Sequence, residues 1–157
     1  MKIVIVAVGR IREPYFRAGV DDYLARIQHY LPVEEIEVQA GSKEEDNGRG
    51  SHTLVAEGER LQKALARESF VACLDRAGKE FSSEQLSAWL QARMSESVSR
   101  LAFVLGGAWG LSPVVLARSQ FTLSLSQLTF PHELSRLILT EQLYRALTLW
   151  KGEKYHK

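Results

Sequence analysis

Two apolar runs in the second half of the chain constrain its fold most, because each leads into residues that a purely structural strand does not need. Residues 101–105 are continuously apolar, which is typical of a strand buried on both faces of a parallel sheet. Three glycines follow closely, at Gly106, Gly107 and Gly110. The second run, residues 121–125, is predicted to be a strand that leads into a polar and aromatic loop before the last helix.

Loops that follow neighbouring parallel strands meet at one edge of the sheet, where α/β proteins bind ligands. Glycines there allow the backbone to approach a ligand closely, although a tight turn explains the same residues. The first strand is followed by Gly9-Arg10-Ile11, not by a dinucleotide fingerprint, and no Lys-Ser/Thr pair follows the later glycines. A phosphate-free adenosyl ligand therefore fits this loop better than a nucleotide phosphate.

Strand and helix patterns alternate along the whole chain, which predicts one α/β domain over residues 1–157 with a mostly parallel sheet and helices on its faces. The predicted strands are 3–8, 33–38, 70–74, 101–105 and 121–125. The predicted helices are 14–30, 53–67, 82–95, 113–119 and 131–150. Ser82 and Gln85 form a capping-box pattern, and residues 75–79 are predicted to be a loop. Residues 40–52 are predicted to be a mobile segment, either a lid or plain disorder.

The composition narrows the class of protein. The chain of 157 residues is 45% hydrophobic and 25% charged, and no apolar run approaches the roughly 20 residues of a membrane span. Cys73 is the single cysteine, so no intrachain disulfide is possible, and the four histidines lack metal-ligand spacing. We expect a cytoplasmic protein that holds no metal and does not enter a membrane.

Charge is distributed unevenly behind a net value of +1. Residues 1–99 hold 13 Lys/Arg against 16 Asp/Glu, whereas residues 100–157 hold 7 against 3. The basic residues nearest the C-terminus are Arg136, Arg145, Lys151, Lys154 and Lys157, with His156 beside them. These residues suit an anionic partner such as RNA, or they are simply a solvated helix end whose cations interact favourably with the helix dipole.

The last predicted helix carries apolar residues around most of its circumference. A terminal surface helix usually has one apolar stripe, so burial against a second subunit is the simplest account, and we predict a homodimer.

Three further features near the predicted crevice and the C-terminus each have two explanations. Glu141 and Arg145 are spaced for a helical ion pair, which is either structural or placed beside a ligand. Tyr155-His156-Lys157 is either a frayed tail or a clamp on an RNA base and its phosphate. Trp109 either stacks on a ligand or covers the glycine turn.

Segments throughout the chain together resemble one family. They are MKIVIVAVGRI, CLDRAGKEFSSEQLSAWL, FVLGGAWGLS, LSLSQLTFPHELSRLILTEQLYRA and the terminal KYHK. In this order and over essentially all residues they resemble the RlmH family, methyltransferases of a pseudouridine in large-subunit ribosomal RNA and minimal members of the SPOUT class.

The resemblance implies an α/β fold with a C-terminal trefoil knot, a homodimer, and S-adenosylmethionine bound in the knot. It also implies methylation at N3 of a pseudouridine in the assembled ribosome. The implied cofactor contacts are Leu74, Gly106, Gly107, Gly110, Leu125, Ser126, Gln127, Leu128, Thr129 and Phe130. We expect Arg136, Tyr155 and Lys157 to contact RNA.

The implied chemistry needs an acceptor for the N3 proton, and Glu141 and His156 are the candidates, with Arg145 steadying a developing anionic oxygen. The family usually reads Gly-Gly-Pro-Glu-Gly, whereas this chain has Ala108 and Trp109 at the third and fourth positions. Losing that carboxylate either weakens electrostatic support for a cationic cofactor or removes a residue that handles the substrate proton. The alternative function is therefore a catalytically silent protein that binds RNA or the ribosome, and a methyltransferase for transfer RNA is a weaker one.

Overall fold

A computed structural model describes residues 1–41 and 51–155. Within them, five strands alternate with five helices, as the sequence predicts. In chain order they are β1 (Lys2–Val8), α1 (Pro14–Ile27), β2 (Val33–Val38), α2 (Ser51–Ala64), β3 (Phe70–Glu80), α3 (Ser83–Ser95), β4 (Arg100–Leu105), α4 (Pro113–Arg118), β5 (Phe121–Ser124) and α5 (His132–Trp150).

The strands form one sheet in the order β2-β1-β4-β3-β5. Every pairing between these strands is parallel, which confirms the predicted parallel sheet. Because parallel strands end at the same edge, the loops after β3, β4 and β5 emerge side by side.

Alternate residues of the central strands build two cores, one on each face of the sheet. Ile3 and Ile5 of β1 point into the first core, and Val4 and Val6 point into the second. Helices α1, α3 and α5 cover the first face, and α2 and α4 cover the second. Helices on both faces are thus confirmed.

Helix α5 lies on the first face in contact with both α1 and α3. Leu139, Leu143 and Leu147 are fully buried there. Much of its apolar surface is therefore covered within one protomer, which corrects the reason given above for expecting a second subunit. The homodimer itself stays a prediction.

The prediction of a loop at residues 75–79 is wrong, because β3 continues through Glu80. Both Leu74 and Lys79 pair with Leu123 of β5, so the residues between them form a bulge. A Cβ on Gly78 would lie 2.7 Å from the carbonyl oxygen of Thr122, which explains the glycine. The bulge holds polar residues that resemble a loop in sequence.

Smaller differences concern the ends of elements. Helix α1 ends at Ile27 and not at residue 30, and α2 begins at Ser51 and not at residue 53. The Ser82 capping box is confirmed: Gln85 N–H donates to Ser82 Oγ at 3.2 Å, and Ser82 N–H donates to Gln85 Oε1 at 2.8 Å. Most of the predicted mobile segment, residues 42–50, lies outside the described residues. Within residues 1–41 and 51–155, no helix combines the length and hydropathy needed to span a membrane.

Candidate cofactor site

A cavity of about 660 Å³ opens where β4 and β5 end, beside the bulge of β3. Three segments form its walls: the start of the β3 bulge, the glycine loop after β4, and the loop between β5 and α5. The lining residues are Leu74, Asp75, Arg76, Leu105, Gly106, Gly107, Ala108, Trp109, Gly110, Leu125, Ser126, Leu128, Thr129, Phe130, Pro131, His132 and Ser135.

The glycine loop folds back on itself at the mouth of the cavity. Gly110 N–H donates to the carbonyl oxygen of Gly107 at 3.0 Å, and the two residues form an isolated antiparallel bridge. A Cβ on Gly106 would lie 2.3 Å from the Gly110 carbonyl oxygen, so the loop closes only with glycine at this position. Gly110 has a φ of +78°, in the left-handed region that glycine adopts at little cost. The glycines therefore shape a tight loop whose backbone faces the cavity.

The loop after β5 is held by short-range hydrogen bonds from its own side chains. Ser124 Oγ donates to the carbonyl oxygen of Ser126 at 3.1 Å, and Leu128 N–H donates to Ser126 Oγ at the same distance. Leu128 is 72% exposed and Trp109 is 47% exposed, each at the rim of the cavity. Two large apolar side chains are thus held in solvent on opposite loops of the opening.

A smaller recess of about 240 Å³ adjoins the cavity and shares Gly107, Ala108, Trp109 and His132 with it. Its remaining wall comes from the end of β1, the residues that follow β2, and one face of α2. These residues are Val8, Gly9, Ala40, Gly41, Thr53 and Glu57.

The structure brings together nine of the ten residues expected to contact the cofactor. The tenth, Gln127, is exposed and does not line the cavity. Sequence reasoning missed Asp75, Arg76, His132 and Ser135, although the rule that ligands bind beyond strand ends would have pointed to the first two.

The expected catalytic residues Glu141 and Arg145 lie elsewhere, on α5. Arg145 Nε donates to Glu141 Oε1 at 3.0 Å, and the Tyr155 hydroxyl donates to the same oxygen at 3.2 Å. The Arg145 guanidinium carbon also lies 4.9 Å from the centre of the Tyr155 ring. Glu141 thus holds Tyr155 against α5, and we call Glu141, Arg145 and Tyr155 the tail cluster.

Hydrogen bonding stabilises the protonated forms of Arg145 and Tyr155 in the tail cluster. The hydrogen bond with Glu141 raises the pKa of Arg145 above its ordinary value. The hydrogen bond with Tyr23 and then burial raise the pKa of Tyr155, so its phenol stays neutral. Neither Glu141 nor Arg145 lines the cavity or the recess. Glu141 lies roughly 9 Å along the helix axis from Ser135, the cavity-lining residue of α5 that is nearest to it.

Arg136 does not face a substrate, which corrects its expected contact with RNA. Its side chain is 1% exposed. Its guanidinium donates to Glu37 at 2.6 Å, to Glu35 at 3.1 Å and to the carbonyl oxygen of Gly9 at 2.8 Å. The carboxylates of β2 hold it inside the protomer as a structural cation.

Two expected residues, His156 and Lys157, lie outside the described residues. Within residues 1–41 and 51–155, no three His, Cys, Asp or Glu side chains converge in a way that could hold a metal ion.

Comparison with known proteins identifies the family to which the chain belongs. Residues 1–156 match the model of a family described as predicted SPOUT methyltransferases. The chain is 44% identical to the ribosomal RNA large subunit methyltransferase H of Symbiobacterium thermophilum, over 100% of both chains. It is 41% identical to the protein of the same name from Syntrophotalea carbinolica, over 99% of both chains.

Solved structures support the fold alone, since their identities are low. A probable methyltransferase from Bordetella pertussis matches with a TM-score of 0.56 and 12% identity, covering 92% of this chain and 95% of that one. A probable methylase family protein from Haemophilus influenzae matches with a TM-score of 0.55 and 14% identity, covering 99% of this chain and 70% of that one.

Proposed function

The chain belongs to the SPOUT methyltransferase family, and from this we propose that it methylates N3 of a pseudouridine in large-subunit ribosomal RNA, with S-adenosylmethionine as methyl donor. The match to proteins named ribosomal RNA large subunit methyltransferase H extends over the whole of both chains, so it includes the loops around the cavity. We further propose that the protein works in the cytoplasm on the assembled ribosome.

The observation that carries the proposal is the convergence of the β3 bulge and the loops after β4 and β5 on one cavity. Gly106 leaves room where a Cβ would collide with backbone, and Leu74, Leu125 and Phe130 supply apolar surface. Backbone groups and apolar side chains suit an adenosyl group that carries no phosphate. When bound, S-adenosylmethionine supplies an activated methyl group on a cationic sulfur.

The residues at the rim have a second proposed task, which is to hold the substrate base. Trp109 and Leu128 present exposed apolar surface on opposite loops of the opening, and an aromatic ring can stack on an unpaired RNA base. The proposed gain in rate comes mainly from orientation of the base nitrogen towards the methyl group, an effect worth up to about 7–11 kcal/mol in favourable cases.

We extend the proposal to a C-terminal trefoil knot and a homodimer, following the family. The separation between the cavity and the tail cluster favours the homodimer, because Glu141 cannot reach the cavity of its own protomer along a straight helix. A second copy would bring its Glu141, Arg145 and Tyr155 to the cavity of the first. Glu141 and His156 stay the proposed acceptors of the N3 proton.

The test is methyl transfer from labelled S-adenosylmethionine to ribosomes that lack the modification, compared with free ribosomal RNA and transfer RNA. We expect label on assembled ribosomes. Label on transfer RNA would contradict the proposed substrate. Absence of label on all three, together with absence of cofactor binding, would favour the catalytically silent binder that Ala108 and Trp109 suggest.

Glu141→Gln is expected to lower turnover on ribosomes by at least about tenfold, in the range of general-base contributions. The dissociation constant of S-adenosylmethionine should stay within about twofold, because Glu141 is proposed to accept the proton of the base and not to hold the cofactor. Steady-state kinetics and calorimetry measure the two effects. Glu96→Gln, which breaks an exposed ion pair with Arg93, is the control. Unchanged turnover in Glu141→Gln and in His156→Ala would remove both residues as proton acceptors.

A further inference from the structure

A carboxylate is buried directly behind the glycine loop. Glu57 of α2 is 4% exposed. Its Oε1 accepts a hydrogen bond from Gly41 N–H at 2.8 Å, whereas its Oε2 has no hydrogen-bond partner among the described residues. The hydroxyl of Thr53, one helical turn earlier, is also buried and lacks a partner among those residues. Both side chains line the recess beside the cofactor cavity.

Gly107 is the wall between this carboxylate and the cavity, since it lines both spaces. A Cβ on Gly107 would lie 2.9 Å from Glu57 Oε2 and 3.1 Å from Oε1. The carboxylate therefore packs directly against the Cα of Gly107. Only the backbone of the glycine loop lies between the carboxylate and the cavity.

A buried carboxylate with an unpartnered oxygen destabilises a protein unless a positive charge comes near it. Charges act over longer distances in such surroundings, because little water lies between them to screen the field. A cationic group in the cavity would supply the missing positive charge without touching Glu57. Its negative field would in turn favour a cationic ligand over a neutral one of the same shape.

We propose that Glu57 acts across Gly107 to favour the sulfonium form of the cofactor over the neutral demethylated form. The inference rests on the proposed function. In the transfer, the base nitrogen loses its proton to an acceptor and forms a bond to the methyl carbon. The bond between that carbon and sulfur breaks, and sulfur keeps the electron pair and becomes neutral. Glu57 therefore attracts the charged sulfur of the reactant, whereas the sulfur of the product has no charge for it to attract. It is a selectivity residue, not a catalytic one.

Glu57→Gln tests this, because the amide keeps the shape and its oxygen can still accept from Gly41 N–H. Calorimetric titration at low salt should show S-adenosylmethionine binding about tenfold more weakly, with S-adenosylhomocysteine changed by less than about twofold. In the wild type, added salt should reduce the difference in affinity between the two ligands only slightly, since the Glu57 carboxylate is buried. Glu59→Gln, an exposed residue of the same helix, removes an equal charge and should leave both affinities unchanged.

Equal weakening of both ligands in Glu57→Gln would overturn the inference, because a merely structural residue would affect them alike. Unchanged affinities would overturn it too. If Glu57→Gln does not fold, Glu57→Asp provides the same comparison: it keeps the charge and should keep the preference for S-adenosylmethionine, and loss of that preference would count against the inference. If the wild type binds neither ligand, the proposed function fails, and the inference with it.

Discussion

Gly106→Ala is expected to raise the dissociation constant of S-adenosylmethionine at least about 100-fold and to reduce methyl transfer in proportion. The added Cβ would lie 2.3 Å from the carbonyl oxygen and 2.4 Å from the carbonyl carbon of Gly110. Both are backbone atoms of the same tight loop, so no side chain can move aside to make room. The loop must open, and its opening moves the backbone that forms one wall of the cavity. Calorimetric titration of purified protein measures the effect.

Gly19→Ala is the matched control for this change. A Cβ on Gly19 would lie 2.9 Å from Cδ1 of Leu137, the far end of a flexible side chain, and Gly19 lies in α1, whose residues do not line the cavity. Alanine also favours a helix interior by up to about 1 kcal/mol over glycine. Cofactor affinity in Gly19→Ala should equal that of the wild type. Wild-type affinity in Gly106→Ala would show that the glycine loop does not shape the cofactor site.

Arg136→Met is expected to lower the free energy of unfolding by about 3 kcal/mol, the usual effect of removing one partner of a buried ion pair. Methionine fills a similar volume but leaves Glu35 and Glu37 with fewer cationic partners and leaves the carbonyl oxygen of Gly9 without its guanidinium donor. Arg17 also pairs with Glu35 at 2.7 Å, which limits the loss. Urea unfolding followed by circular dichroism measures the change.

The surface pair of Arg26 with Asp22 provides the comparison, since both side chains are about half exposed. Arg26→Met should change stability by less than about 1 kcal/mol, as is usual for exposed pairs. An Arg136→Met variant as stable as the wild type, but weaker in RNA binding, would restore the role that the sequence suggested for Arg136.

The parallel sheet and the glycine loop of the cofactor cavity are predictable from the sequence because both depend on local patterns. The run 101–105 predicts a buried strand, and the rule about strand ends then places Gly106 and Gly107 at the crevice. Leu74 was expected from the family resemblance. The residues of the loop after β5 were expected from the family resemblance, which also included Gln127 although its side chain faces solvent.

The remaining features depend on contacts between distant segments. Arg136 looked like part of a basic surface because a charge count does not reveal that Glu35 and Glu37 of β2 will lie beside it. Glu57 is one of two acidic residues on α2, and its sequence neighbours do not indicate that it packs against Gly107. The bulge of β3 was missed because polar residues that resemble a loop are held in the sheet by pairing with β5.

The all-parallel strand order also affects how the chain can fold during its own synthesis. No two neighbouring strands are joined by a hairpin, and β1 pairs on one side with β4, which begins at Arg100. The apolar strand β1 therefore lacks its β4 partner until nearly two thirds of the chain has been synthesised. Such long-range pairing is intrinsically slow, on the order of milliseconds to seconds, and leaves an edge on which nascent chains can aggregate. Expression at low temperature or with added chaperones should accordingly increase the soluble yield.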